Sequence, residues 1–270
     1  MALDLALYFD RINYQGARTA TLETLRALHL AHTCAIPFEN LDVLLRRTIH
    51  IDDDSVFEKL VVAGRGGWCF EQNGLFRNVL AELGFEVENL AARVLLANPP
   101  QMPARTHRLT KVTIDGQAWV ADVGFGGKTL PEPVRLVEGE MQPTTHGVYS
   151  FERVEHDWLL KFHAADKTIN LYRFSLEPQY DSDYEAGNHY VATWPHSHFR
   201  QCLTLSLYKA NGEKNTLYSA GENAPVFTRA QEVYELLQKN FNLRFDHPNH
   251  GISLDDFSAM LVRIGVIKPA

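Results

Sequence analysis

Cys69 follows Arg65-Gly66-Gly67-Trp68 and precedes Phe70-Glu71-Gln72-Asn73-Gly74. Paired glycines permit a tight turn and a close approach of substrate to backbone. Leu75, Phe76, Val79, Leu80 and Leu83 then recur at helical spacing, and Gly84 supplies a stop. The pattern predicts a helix that opens at Cys69. A helix start offers unpaired N–H groups and the positive end of the dipole. Both favour thiolate over thiol, the form in which a cysteine attacks. The same N–H groups can hold the oxyanion of a tetrahedral intermediate.

A thiolate nucleophile needs a base, and the base needs an orienting partner. Twelve histidines compete for that role, and geometry selects among them. Asp115-Gly116 sits between two strand-like runs and signals a two-residue hairpin loop. Pairing Ile114 with Gln117 and counting outward sets Leu109 opposite Asp122. His107, two residues further along, lies on the same face as Asp122 as a diagonal neighbour, provided no bulge interrupts the count. Taken singly, His107 reads as an exposed strand start and Asp122 as a turn residue. Their predicted adjacency, beside the Cys69 motif, makes them base and orienter.

The other candidates carry less. Cys34 lies in an apolar helical stretch and Cys202 opens a strand, so both read as core packing. Three cysteines without paired spacing fit free thiols in a reducing cytoplasm. His196-Ser197-His198 with Cys202 lacks a zinc spacing and a fourth ligand, so no metal is expected. Gly187-Asn188 and Pro195 mark a loop. Gly124-Phe125-Gly126-Gly127 matches neither dinucleotide nor P-loop patterns and reads first as a turn beside Lys128.

The elements that must position these residues change period along the chain. Residues 21–35, 55–63 and 69–83 read as helices, the second opening on a Ser55/Glu58 capping box. Residues 87–96, 107–114, 117–123, 147–154, 158–163 and 168–174 read as short strands, close-spaced enough for a barrel or sandwich. A hairpin around Asn211-Gly212 and helices over 230–240 and 253–264 finish the chain. The order gives an α+β protein: helices over 1–85, a β-barrel over 86–195 and a mixed α/β end over 196–270.

Bulk properties bound the partners. Hydrophobic residues make up 45% of the 270, enough for a sizeable core. A formal net charge of -7 disfavours nucleic acid and anionic membranes as main partners. No apolar run reaches membrane-spanning length. The first ten residues lack the basic region of a signal peptide, so a cytoplasmic protein is expected. The sequence leaves a homodimer open.

Several stretches, in order, resemble the arylamine N-acetyltransferase family. Arg65 to Glu71 is similar to its nucleophile motif, with Trp68 where the family often has Tyr. Ile36-Pro37-Phe38-Glu39-Asn40-Leu41-Asp42 is similar to its N-terminal signature. Thr106-His107 and Asp122-Val123-Gly124-Phe125-Gly126 are similar to its base and orienter segments. The likeness runs from about Leu3 to beyond Arg200. It implies a helical bundle, a β-barrel and an α/β lid, the first two carrying a papain- or transglutaminase-like triad of Cys69, His107 and Asp122. It implies acetyl-CoA as co-substrate and a ping-pong transfer to an arylamine, hydrazine or N-hydroxyarylamine. The resemblance also sets Gly124, Phe125, Gly126 and Gly127 along the CoA cleft. Phe38, Phe125 and Phe199 then line the acceptor pocket, an ion pair of Glu39 with Arg65 holds the nucleophile loop, and the 187–195 loop borders the site. A cysteine hydrolase with the same triad is the competing activity, and a non-catalytic binding protein the third reading.

Overall fold

A computed structural model describes residues 3–222 and 224–269. Met1, Ala2, Asn223 and Ala270, which the expected 1–85 and 196–270 parts include, lie outside the described residues. The chain opens with α1 (Leu5–Arg11), capped by Asp4, and α2 (Leu22–Ala35), capped by Thr21. A two-residue strand β1 (Phe38–Glu39) and a single turn α3 (Leu41–Leu44) follow. Next come α4 (Asp53–Phe57), a wide π turn over Glu58–Val62, and α5 (Cys69–Glu82). The expected Ser55/Glu58 box is replaced by Asp52, whose carboxylate accepts the Ser55 N–H at 3.0 Å. An aspartate three residues ahead satisfies the same free N–H, so Ser55 falls inside the first turn.

The inward faces of these helices share one core. Leu75, Phe76, Val79 and Leu80 of α5 pack with Tyr8, Phe9, Leu25 and Leu28. Each such apolar side chain contributes about 1.5–3 kcal/mol on burial. Val112, Trp119, Ala121 and Val123 join the same cluster from the strands, so the bundle is seated on one face of the sheet.

That sheet has eight strands in the order β5-β4-β3-β2-β9-β8-β7-β6. They are β2 (Glu86–Val94), β3 (Arg105–Ile114), β4 (Gln117–Ala121), β5 (Val134–Arg135), β6 (Gln142–Thr144), β7 (Gly147–Val154), β8 (Asp157–His163) and β9 (Thr168–Phe174). The sheet curls into a nearly closed barrel. Its open seam is bridged by a side chain: Gln142 accepts the Arg135 N–H at 2.7 Å and donates to the Arg135 carbonyl at 2.8 Å. Asp115 and Gly116 both have positive φ, 50° and 72°, as a tight hairpin turn requires. Ile114 pairs with Gln117 and Thr110 with Ala121, as counted from the sequence. The barrel interior takes the alternate residues, Leu90, Leu109, Val120, Phe151 and Leu160 among them.

The expected loop over 187–195 is instead part of a helix, α6 (Asp181–Thr193). Gly187 is there for packing: a Cβ would lie 3.0 Å from the Phe70 ring and 3.3 Å from the Arg105 carbonyl. Asn188 is buried, its amide bonded to Trp68 and Ile49. Only Pro195 acts as read, just beyond the helix end. A short 3-10 turn (His198–Arg200) leads to the hairpin β10 (Thr204–Tyr208) and β11 (Lys214–Tyr218), turning through Gly212 at φ 86°. β1 from the N-terminal third pairs with β10 to complete a three-stranded sheet. Helices α7 (Ala230–Phe241) and α8 (Leu254–Arg263) pack on it through Leu237, Phe241, Phe257 and Leu261. Among the described residues no helix is long and apolar enough to cross a membrane.

Candidate active site

The Cys69 turn is built from residues that cannot be larger. A Cβ on Gly66 would fall 2.3 Å from the Pro37 carbonyl, and one on Gly67 2.6 Å from Glu71 Oε2. Without side chains there, the turn runs beside β1: Gly67 N–H donates to Pro37, and Glu39 N–H to Gly67. Arg65, wholly buried, reaches Glu39 at 2.7 Å and Asp42 at 3.2 Å. Lys59, from the π turn, reaches Asp42 at 2.6 Å and Glu71 at 2.7 Å. Glu71 turns its second oxygen back to the Trp68 N–H at 3.1 Å. Burial raises the Glu71 carboxyl, with Lys59 opposing. Three buried carboxylates and two buried cations thus fasten the approach to Cys69.

Cys69 is the first residue of α5 and only 8% exposed. Its sulfur lies 3.7 Å from the Thr106 carbonyl. Thr106 has no place in the β2–β3 ladder, where Ala92 pairs with His107 and Arg93 with Arg105. That extra residue is a bulge, a device that re-aims strand residues beside sites. It falls before His107, so the β3–β4 count stands. His107 Nε2 meets Asp122 Oδ2 at 2.7 Å. The Cys69 sulfur is close enough to favour the charged ring as well. Burial alone lowers the His107 pKa, but Asp122 and the sulfur outweigh it and raise it to about 10. Asp122 shows the converse. Burial raises its carboxyl, while His107, Asn73 and the Gly124 N–H more than offset this and lower it. The pair is therefore imidazolium and carboxylate at neutral pH.

Gly124 lets the next segment close over the nucleophile, since a Cβ there would lie 2.8 Å from Cys69 Cα. Phe125 sets its ring edge against His107 at 4.9 Å and Tyr172 at 5.0 Å. Gly126, at φ 85°, backs onto the Phe38 ring. Phe38 in turn packs on Phe199 at 5.8 Å, and Phe199 on Trp68. Phe125 thus packs with the barrel residues His107 and Tyr172, and Phe38 and Phe199 pack with each other beside Trp68. Gly127 is open, and its carbonyl accepts from Lys214 at 2.7 Å. Lys128 lies over the Phe162 ring. Of the other two cysteines, Cys202 is buried, and Cys34 is half-buried with its thiol pushed up by burial.

Four polar residues at the site were not singled out from the sequence. Asn73, one turn after Cys69, donates to Asp122 Oδ1 at 2.9 Å and to the Arg108 carbonyl, and accepts the Val123 N–H. Its position four residues on in a helix places it on the cysteine's face, a signal the spacing carries. Gln72 donates to the Pro37 and Gly67 carbonyls. His29 accepts the Asp122 backbone N–H at 3.1 Å. Among the described residues the buried Tyr172 hydroxyl has no partner in hydrogen-bond geometry but faces Asp122; burial and that charge raise its pKa well above the ordinary value. Nothing local in the sequence connects His29 or Tyr172 to Asp122.

The comparisons with known proteins agree in kind. A family model described as N-acetyltransferase matches residues 21–250. The arylamine N-acetyltransferase of Escherichia coli K12 is 46% identical over 263 residues, covering 94% of each chain. A Salmonella typhimurium protein named arylamine N-acetyltransferase / N-hydroxyarylamine O-acetyltransferase is 42% identical, covering 95% of each. A solved arylamine N-acetyltransferase from Salmonella typhimurium superposes with a TM-score of 0.92 at 41% identity, over 96% of this chain and 98% of that one. The Mycobacterium marinum enzyme, solved in complex with CoA, does so with a TM-score of 0.87 at 33% identity, over 97% and 99%. The chain described here belongs to the arylamine N-acetyltransferase family and is an acyltransferase.

Proposed function

We propose that acetyl-CoA acetylates Cys69 and that an arylamine, aryl hydrazine or N-hydroxyarylamine then removes the acetyl group, with His107 and Asp122 completing a triad. The observation that carries this is the 2.7 Å bond between His107 Nε2 and Asp122 Oδ2, with the Cys69 sulfur near enough to favour the charged imidazole. In the first step the thiolate attacks the thioester carbonyl. The new sulfur–carbon bond forms as the CoA sulfur leaves and takes a proton from imidazolium. In the second, the neutral amine attacks acetyl-Cys69 and gives a proton to His107, and Cys69 leaves as thiolate. Two thioester steps suit a thiolate, both a good nucleophile and a good leaving group. Asp122 keeps the ring oriented and favours its charged form.

The same reading assigns Gly124 to Gly127 to the CoA cleft and Phe38, Phe125 and Phe199 to the acceptor pocket. Their flat apolar faces suit an aromatic ring. It divides the chain into a bundle (1–85) bearing the nucleophile, a barrel (86–195) bearing base and orienter, and a lid (196–270). The test is intact-protein mass after adding acetyl-CoA without acceptor. One acetyl group should appear and map to Cys69, and Cys69→Ser should acquire none. Free acetate released without a lasting adduct would mark a hydrolase instead. An adduct on Cys34 would reject the nucleophile.

A further inference from the structure

Asp122 lies one residue past the end of β4, whose pairing with β3 stops at Ala121 and Thr110. Its backbone N–H is therefore outside the ladder, yet the residue is wholly buried. A buried N–H without a partner is costly, and most are satisfied. The partner here comes from a different layer: Nε2 of His29, on the inner face of α2, accepts it at 3.1 Å.

Accepting an N–H requires an unprotonated Nε2, so the proton of the neutral ring sits on Nδ1. Nδ1 faces the Pro131 carbonyl without meeting hydrogen-bond geometry. The ring is fully buried, edge-on to Phe76 at 5.5 Å. The charged or titratable groups facing it are Asp122, His146 and His32. Burial holds its pKa down at about 4, with Asp122 opposing, so the acceptor persists at neutral pH.

We infer that His29 is a positioning residue for Asp122: its neutral imidazole fixes the main chain from which the carboxylate reaches His107. This rests on the triad reading above. The carboxylate itself is held by Asn73 and Gly124 on Oδ1 and by His107 on Oδ2. Those bonds orient the side chain, and the His29 bond ties its own N–H to the helical bundle, one residue before the Val123 N–H that Asn73 holds. Around the pair stand Cys69, Tyr149, Tyr172 and Tyr208, whose hydroxyls sit in the field of Asp122.

The experiment compares His29→Met and His29→Gln, side chains of equal length of which only Gln offers a strong acceptor. Iodoacetamide alkylation of Cys69 is followed by peptide mapping across pH, with urea unfolding as the check on folding. His29→Met should label about three- to tenfold more slowly at neutral pH, the worth of one hydrogen bond. Its rate profile should shift along the pH axis. His29→Gln should recover most of both. Equal losses in the two variants with an unshifted profile would reduce His29 to a packing residue and overturn the inference. Asp122→Asn runs alongside. If it shifts the profile while His29→Met does not, the inference fails alone. If Asp122→Asn matches wild type, the triad reading fails and takes the inference with it. The 15N spectrum of the wild-type imidazole gives an answer independent of any variant's folding. Nε2 should be unprotonated at neutral pH, and a protonated Nε2 would overturn the proposal.

Discussion

Acidification below about pH 6.5 should destabilise this enzyme, because two neutral histidines are locked inside the bundle. Gln72 gives both amide hydrogens to the Pro37 and Gly67 carbonyls. Its Oε1 must then accept from His32 Nε2, while His32 Nδ1 accepts the Tyr8 hydroxyl at 2.8 Å. A second proton on His32 would oppose Tyr8. Burial lowers its pKa to about 3, and that of His29 to about 4. In the unfolded chain both should titrate near 6.5. Between pH 6.5 and about 4 the unfolded state thus holds two protons that the native state refuses, and stability falls as pH falls. Each proton is worth about 1.4 kcal/mol per pH unit, so the step from about pH 6.5 to about 5 removes about 2 kcal/mol per histidine. Both together take about 4 kcal/mol from a typical total of about 5–15 kcal/mol. His107 has the opposite sign. Its raised pKa gives stability that is complete below about pH 6.5 and is lost as pH climbs through about 10. Equilibrium urea unfolding across the acid window, for wild type and His32→Gln, reads the effect directly. His32→Gln should lower the starting stability by removing the Tyr8 bond. Its decline from about pH 6.5 to about 5 should nevertheless be shallower by about 2 kcal/mol. A decline parallel to wild type would show that His32 is not a buried neutral base.

Two further outcomes test the walls of the site. Gly124→Ala forces a methyl to 2.8 Å from Cys69 Cα, so acetyl-enzyme formation should be lost and the urea midpoint should fall by the equivalent of about 1–3 kcal/mol; near-normal single-turnover acetylation would contradict the close approach. Phe125→Ala removes a ring packed on both His107 and Tyr172. Hydrazine turnover of the acetyl-enzyme should drop about three- to tenfold, the scale of an aromatic contact, and acetyl-enzyme formation by less. A loss confined to the first half-reaction would move Phe125 to the CoA side.

The helices and strands that carry the site were legible because their signals are local. Apolar spacing announced α5, and Asp115-Gly116 fixed the β3–β4 register that brings Asp122 to His107. The bulge at Thr106 fell on the other neighbour of β3, where it aims the strand without breaking that count. What misled was the reading of single residues without their neighbours. Gly187 and Asn188 look like loop formers, yet one makes room for Phe70 and the other answers Trp68 and Ile49. Ser55 looks like a cap, yet Asp52 takes its N–H first. The link from His29 to Asp122 crosses 93 residues, and neither it nor the link from Tyr172 leaves a trace in spacing.

The buried ions beneath Cys69 are hard to justify as stabilisers. Glu39, Asp42 and Glu71 pair with the buried Lys59 and Arg65, with Arg47 at the edge of Asp42, and taking such charges out of water commonly costs as much as their pairing returns. Their geometry suggests a different reason for keeping them. Arg65 and Glu71 flank the nucleophile turn, and each holds a partner outside it. Arg65 ties the turn's entry to β1 and α3. Glu71 ties its exit to Trp68 N–H and, through Lys59, to the π turn. Apolar residues of equal volume would fill the space without specifying direction, since hydrophobic contact is non-directional. A hydrogen-bonded charge has few acceptable positions in a dry interior. The cluster therefore converts electrostatic cost into a fixed orientation of α5. With the helix fixed, the sulfur of Cys69 stays against His107 while the Gly124 segment lies a van der Waals contact away.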